Sequence, residues 1–343
     1  MRSIASGQFW LGIAISLLCL WLALRTVPFD GLSNTLAGAQ YGWLLPAIVL
    51  HMLSIAARSQ RWVVLLGKES RFADSFWSQG VGYLFTNVLP LRLGEPARVI
   101  VMAKRCGLPL FQVAASAIVE RLLDLGTIVL FLVAILPWMQ VPLLVIQAGE
   151  SFGGLVLVAL ALLFGLMRAS RRVEALLQSL GKSARFLPAD STVPRWRELV
   201  SGFSPLLQRR VAGSVFGWSL ITWALGIAVY WCIIRAFQPE GALLESVFMV
   251  VALALAVTVP SSPGFIGVFQ LVGQQALVLP FGAKYDSASA LAITLTAHLT
   301  YYLLTTAFGV LSLSRVGESF LQLGRKIGGG RAASEATASE AHL

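Results

Sequence analysis

The chain has 343 residues, of which 57% are hydrophobic and 12% charged, with mean hydropathy +0.78 and a formal net charge of +10. Helices surrounded by lipid must be apolar nearly all round, so this composition excludes an ordinary soluble domain and predicts an all-α polytopic membrane protein. The basic excess does not imply nucleic acid, because Lys and Arg lie in loops between apolar stretches, where they set topology and meet anionic headgroups.

A spanning helix needs about 20 mostly apolar residues. Six are predicted in order along the chain, near residues 9–24, 43–66, 113–138, 152–167, 211–234 and 288–313. The first follows Arg2 as a signal-peptide core would. Its apolar run is too long and Ala23-Leu24-Arg25 is a poor cleavage site, so it reads as an uncleaved span. Two further apolar stretches, 76–106 and 243–281, are each interrupted in the middle. The first holds Asn87-Val88-Leu89-Pro90-Leu91-Arg92-Leu93-Gly94-Glu95-Pro96-Ala97-Arg98, and the second Val257-Thr258-Val259-Pro260-Ser261-Ser262-Pro263-Gly264. Proline removes a backbone donor and breaks the entering helix. Broken backbone at membrane depth survives only where protein or a wet cavity surrounds it. Both segments place a proline four residues before a glycine, and paired interruptions of this kind point to a transporter site.

Loop charge predicts orientation. Basic clusters at Arg58, Arg61, Lys68 and Arg71, at Lys104 and Arg105, from Arg168 to Arg210, and from Arg315 to Arg331 belong in the cytoplasm; loops 26–42, 139–151, 236–242 and 282–287 hold one Lys, Lys284, and no Arg, and belong outside. The first interrupted stretch then enters and leaves on the cytoplasmic side and the second on the outer side. The predicted architecture is about six full transmembrane helices plus two broken re-entrant helical hairpins in an inverted repeat, with both termini cytoplasmic. Two short full crossings per hairpin satisfy the same charges. Residues 1–315 form one integral membrane domain with pseudo-repeats near 9–138 and 152–314. Residues 172–210 form a cytoplasmic basic loop, with 173–180 amphipathic at the membrane surface. Residues 316–343 form a cytoplasmic tail, disordered over its Gly-, Ala- and Ser-rich end from 328.

Ionised side chains inside apolar spans are costly, at roughly 2.5–3.5 kcal/mol each on insertion scales, and are kept where partners or water receive them. Arg92 and Arg98 are candidate binders of a lipid phosphate, for which the guanidinium fork is suited, with Glu95 orienting one of them; the alternative makes all three interfacial topology signals. Glu120, Arg121 and Asp124 follow, with 120 and 124 on one helix face. The carboxylates are read either as partners of Arg92 and Arg98, or of Arg58 and Arg61, across a cavity, or as groups that exchange protons. Two carboxylates without further ligands do not make a metal site. His298 shares a helical stripe with Thr294, Tyr301, Tyr302 and Thr305, and is read equally as a proton relay or a hydrogen-bonded structural histidine. Ser261, Ser262, Gly264 and Gly267 line the second break. A half-helix starting at Pro263 would offer free N–H groups to an anion, and a packing turn is the alternative. The three cysteines, Cys19, Cys106 and Cys232, are scattered and imply no metal or disulfide framework. No nucleotide-binding or hydrolase motif occurs, and no cofactor is expected.

Four segments, Arg58-Ser59-Gln60-Arg61-Trp62, the Asn87 to Arg98 stretch, Glu120-Arg121-Leu122-Leu123-Asp124, and Pro260-Ser261-Ser262-Pro263-Gly264-Phe265-Ile266-Gly267-Val268-Phe269, resemble in order and spacing the flippase-like membrane region of the lysylphosphatidylglycerol synthase family. The resemblance runs from about residue 9 to 315. It implies a multi-pass protein of the bacterial inner membrane that moves phospholipid or polyprenyl-type lipid between leaflets. The soluble aminoacyl-transferase domain of the bifunctional synthases does not follow here, so synthase activity is not implied. The family often has an acidic residue where Gln270 stands.

The expected function is therefore a lipid flippase or transporter whose partners are membrane lipids, either an anionic phospholipid or a polyprenyl phosphate. Its headgroup site draws on Asn87, Arg58, Arg61, Arg92, Glu95, Arg98, Glu120, Arg121, Asp124, Ser261, Ser262, Gly264, Gly267, His298, Tyr301 and Tyr302. The alternatives are a membrane-embedded transferase acting on a lipid-linked substrate, and a non-transporting subunit of an envelope-synthesis enzyme.

Overall fold

A computed structural model describes residues 2–89, 93–139, 143–183, 189–257, 262–320 and 322–324. Its described secondary structure is helical throughout, with no strand among the described residues. The helices are α1 (Arg2–Leu24), α2 (Phe29–Ala37), α3 (Leu44–Leu66), α4 (Phe72–Val88), α5 (Gly94–Cys106), α6 (Leu110–Ile135), α7 (Leu143–Arg168), α8 (Ser170–Ser183), α9 (Ala189–Phe203), α10 (Arg209–Phe237), α11 (Leu243–Ala256), α12 (Val268–Phe281) and α13 (Ser287–Val316). The chain is a polytopic all-α membrane protein: among the described residues, five helices are long and apolar enough to cross a bilayer, or six counting the bent α1–α2 pair. The six expected spans fall on α1, α3, α6, α7, α10 and α13, whereas the qualifying helices are α3, α7, α10, α13 and the Pro263–Phe281 segment that contains α12, with α1–α2 as the bent sixth; α6, which carries Glu120, Arg121 and Asp124, is not among them.

Local chemistry explains the breaks. The turn between α1 and α2 bends the chain by 84°, where Pro28 cannot continue a helix and disfavours helical backbone in Val27 before it. Within residues 172–210, expected as a basic loop, α8 and α9 occupy most of the described residues and α9 packs on α6. Gly202 makes that contact possible, because a Cβ there would lie 2.3 Å from the Gln112 carbonyl oxygen. The tail does not leave the body at 316: Phe320 packs on Phe85 with centroids 4.6 Å apart, and Leu323 is fully buried against Val81, Phe85, Ala97 and Val101. Residues 325–343, including the predicted disordered end, lie outside the described residues.

Helices α4 and α5 form an antiparallel hairpin. Gly94 approaches Gly82 so closely that a Cβ would sit 2.1 Å from the Gly82 carbonyl oxygen; Ser78 faces Met102, and Arg105 donates to Asp74 at 2.6 Å where the hairpin begins and ends. Helices α11 and α12 form a second hairpin, with Phe248 against Phe281 at 6.3 Å and Lys284 donating to Glu245 at 2.8 Å at its own base. At about 1.5 Å per residue α4, α5 and α11 are roughly 20–25 Å long, shorter than the roughly 30 Å hydrocarbon core, while the Pro263–Phe281 segment that contains α12 is long and apolar enough to cross.

Several helix contacts recur in the two halves, though others, such as α1 on α12, do not. Helix α3 lies along α10, α13 along α4, and α6 along α11; α5 touches α6 as α12 touches α13, and α3 touches α4 as α10 touches α11. Gly80 and Gly309 let α4 and α13 approach at backbone distance, as small residues do between membrane helices.

Candidate functional site

Three helices bring seven ionised side chains together. Arg58 and Arg61 come from α3, one turn apart; Glu95 and Arg98 from the first turns of α5; Glu120, Arg121 and Asp124 from the middle of α6. Arg61 is fully buried and donates to Glu120 at 3.0 Å, to Asp124 at 2.7 Å and to Ser219 of α10 at 3.1 Å. Arg98 donates to Glu120 at 2.6 Å and, through Nε, to Glu95 at 2.9 Å, while its guanidinium lies 4.6 Å over the Trp62 ring. Trp62 is itself fixed by donating to Ser116 at 2.9 Å. Arg58 donates to Asp124 at 2.9 Å, Trp223 donates to the same carboxylate at 3.1 Å, and Arg121 pairs with Glu95 and Asp124. Four arginines thus face three carboxylates, leaving one positive charge in the described cluster.

The network borders a cavity of about 470 Å³ enclosed by α3, both hairpins, α6, α10 and α13. Its size falls in the roughly 300–1,000 Å³ range of small-molecule sites. Exposure divides the arginines into two kinds. Arg61 and Arg98 have side chains 0% and 3% exposed and each pairs with two carboxylates, although Arg61 Nε keeps no partner and Arg98 also borders the cavity. Arg58 and Arg121 are 16% and 49% exposed, line the cavity, and use only part of their five N–H donors internally. Tyr301 stands in the opposite wall, edge-on to His51 at 5.4 Å and to Tyr83 at 6.4 Å.

The second break reaches this cavity through Phe265. The segment expected to begin a half-helix at Pro263 is a 3-10 turn, Pro263–Phe265, and α12 starts five residues later at Val268. Gly264 and Gly267 have φ of 68° and 89°, which favours glycine, and Phe265 between them takes φ 60°. The N–H of Gly267, the residue that precedes α12, is not free for an anion, because it donates to Gln270 Oε1 at 2.7 Å. His298 completes the lock. Its Nε2 meets the Gly264 carbonyl oxygen at 2.8 Å and so carries the proton, which leaves Nδ1 to accept from Gln270 Nε2 at 2.7 Å. Both ring nitrogens are committed within the second hairpin, and the ring stacks on Phe269 at 4.4 Å. The Ser262 N–H donates to Ser16 Oγ of α1 at 2.9 Å. Asn87, at the tip of the first hairpin, donates to Thr305 and Thr306 of α13, both at 2.9 Å. A Cβ on Gly264 would lie 3.6 Å from the Asn87 carbonyl oxygen, so the two tips meet under Tyr302. Thr294 bonds its own helix at Ala290.

The structure therefore gathers Arg58, Arg61, Glu95, Arg98, Glu120, Arg121, Asp124 and Tyr301 around one cavity, and sets Asn87, Ser262, Gly264, Gly267, His298 and Tyr302 at the meeting of the hairpin tips. Arg92 and Ser261 lie outside the described residues. Sequence reasoning passed over Gln79, Tyr83 and Thr86, which line the cavity from α4, and Trp223 and Tyr230, which line it from α10. Their spacings of four, three and seven residues place each set on one helix face, a legible signal in otherwise apolar helices. Among the described residues no three His, Cys, Asp or Glu side chains converge as a metal site.

Comparison with known proteins agrees with this architecture. The family model described as "Lysylphosphatidylglycerol synthase TM region" matches residues 9–309, and the chain belongs to that family. It is similar to a "UPF0104 membrane protein" of Methanothermobacter thermautotrophicus, with 25% identity over 299 residues that cover 81% of this chain and 85% of the relative. No solved structure matches.

Proposed function

We propose that this member of the lysylphosphatidylglycerol synthase TM-region family is a lipid transporter of the bacterial inner membrane. It takes an anionic headgroup into the central cavity while the chains stay in the bilayer. The observation that carries the reading is the pair Arg58 and Arg121: two partly engaged guanidinium groups facing a cavity whose partly buried cluster retains one uncompensated positive charge. A buried net charge is costly alone and is relieved by a bound counter-ion, for which phosphate geometry suits arginine. Arg61 and Arg98 hold Glu120, Glu95 and Asp124 in place, so that these carboxylates tether Arg58 and Arg121 without neutralising the cluster.

The hairpins supply the route. In the proposed topology α4–α5 enters from the cytoplasm and α11–α12 from outside, both termini are cytoplasmic, and the tips meet between them. The lengths of α4, α5 and α11 and the helix contacts that recur in the two halves support this inverted-repeat arrangement. Alternating access then consists of opening the seam on one side or the other of the tips.

The test is movement of fluorescent phospholipid in proteoliposomes. Losing one charge-assisted hydrogen bond costs about 1.5–3 kcal/mol, so Arg58→Ala and Arg121→Ala should each slow movement about ten- to hundredfold in protein that stays monodisperse. Wild-type rates in both variants contradict the headgroup role. Recovery of lipid with an altered headgroup supports the transferase reading instead.

A further inference from the structure

We propose that the chain after α13 is an autoinhibitory strap: Phe320 and Leu323 clamp the two arms of the first hairpin together, hold Glu95 on Arg121, and thereby keep the cavity in a resting state until the strap lifts. The regulatory part rests on the transport reading; the clamping itself rests on packing alone.

The strap is tied down at successive points. Gly317, with φ 71°, ends α13 in the left-handed conformation that turns the chain back. Glu318 pairs with Lys104 in the last turn of α5. Phe320 lies on Phe85 of α4. Leu323 donates its N–H to the Ser319 carbonyl oxygen at 3.0 Å and is fully buried with Val81 and Phe85 of α4 and Ala97 and Val101 of α5.

These contacts use the hairpin surface that the cavity does not. Helix α4 turns Gln79, Gly82, Tyr83 and Thr86 to the cavity and, on its opposite side, Val81 and Phe85 to the strap. Helix α5 gives Glu95 and Arg98 to the cavity, and Ala97 and Val101 to the strap. One apolar cluster thus spans both arms and is completed by a residue from outside them. Helix α5 also packs on α4 and α6, and its first turns carry the groups that pair with Glu120 and Arg121 of α6. With Leu323 seated, Glu95 stays on Arg121 and occupies donors that would otherwise face the cavity. With the strap lifted, α5 loses one of its supports and Arg121 is released. The anchor suits reversal, since Lys104 is 64% exposed and such pairs are weak and screened by salt.

Two measurements test this. Thiol labelling of detergent-solubilised protein lacking Cys19 and Cys106 reads the strap directly: Thr86→Cys reports the cavity face of the hairpin, and native Cys232, 2% exposed in a separate core, reports general loosening. Leu323→Ala should speed labelling of Thr86→Cys at least about tenfold and leave Cys232 unchanged, because truncating a buried leucine shifts docking by that factor or more. Lipid movement in proteoliposomes reads the regulation. Leu323→Ala should accelerate it severalfold. A short bifunctional thiol reagent bridging Lys104→Cys and Glu318→Cys, in protein lacking all three native cysteines, should slow it by about tenfold or more, because a tether keeps the strap docked. Damage to the fold slows both proteins and does not produce opposite signs. Unchanged labelling of Thr86→Cys, an equal gain at Cys232, or lipid movement that is unaltered or shifts the same way in both proteins overturns the strap. Labelling that responds as expected, while wild type and every variant move no lipid, overturns the transport reading and leaves the clamp standing.

Discussion

Glu120 shows how the charged cluster is divided between structure and ligand. Its two oxygens accept from Arg61 at 3.0 Å and Arg98 at 2.6 Å, and no part of it is exposed. Removing one member of a buried ion pair leaves its partners uncompensated, at a cost of about 3–5 kcal/mol. Glu120→Ala should therefore lower thermal stability in detergent by that amount. Arg121→Ala, half exposed at the cavity wall, should cost under about 1 kcal/mol. Equal losses in a thermal-shift measurement contradict this division. Ionised residues within apolar spans were legible in the sequence because lipid makes them expensive. Which arginine is spent and which remains available was not, because that depends on how α3, α5 and α6 pack. Arg98, read as a phosphate binder and as a possible partner of Glu120, borders the cavity and is paired with Glu95 and Glu120 under a tryptophan face. Arg58 and Arg61, grouped in the sequence with the cytoplasmic topology charges, are the core of the network.

At the scale of elements, the first hairpin depends on backbone contact. A Cβ on Gly94 would fall 2.0 Å from Thr86 Oγ1 and 2.1 Å from the Gly82 carbonyl oxygen, and the latter does not yield as a flexible side chain would. Gly94→Ala should splay α4 from α5 and destabilise by about 1–3 kcal/mol through overpacking. Gly154→Ala, on α7 with nothing within 4 Å, should be neutral or stabilising by up to about 1 kcal/mol through helix propensity. Thermal unfolding of the two variants checks the contrast, and similar shifts contradict the packing account. The broken stretches were readable from proline and glycine spacing, and both fold as helical pairs. The start of α12 was misplaced because Pro263 is a good first residue for a helix. The positive φ angles of Gly264, Phe265 and Gly267 delay the helix to Val268, and only the packing of Gly267 against the Ser16 carbonyl of α1 explains why.

For the whole molecule, the governing proposal is that two hairpins entering from opposite faces meet around a charged cavity. Each hairpin is closed at its base by one ion pair, Asp74 with Arg105 and Glu245 with Lys284. In the proposed topology those pairs mark opposite surfaces. The contacts that recur in the two halves are invisible in their sequences, which share little beyond the proline-to-glycine interval; the repeat we propose would lie in packing geometry and not in residue identity. Charge, by contrast, is unevenly shared, since the ionised network belongs to α3, α5 and α6 while α10 and α13 answer with Ser219, Trp223 and tyrosine. That asymmetry gives the cavity a charged wall and a neutral one. The most direct test places a single cysteine at position 105 or 284, in a background lacking Cys19, Cys106 and Cys232, and probes intact inside-out and right-side-out vesicles with a membrane-impermeant thiol reagent. Arg105→Cys should label only from the cytoplasmic face and Lys284→Cys only from the outer face. Labelling of both from one face contradicts opposed hairpins and, with them, the transport account.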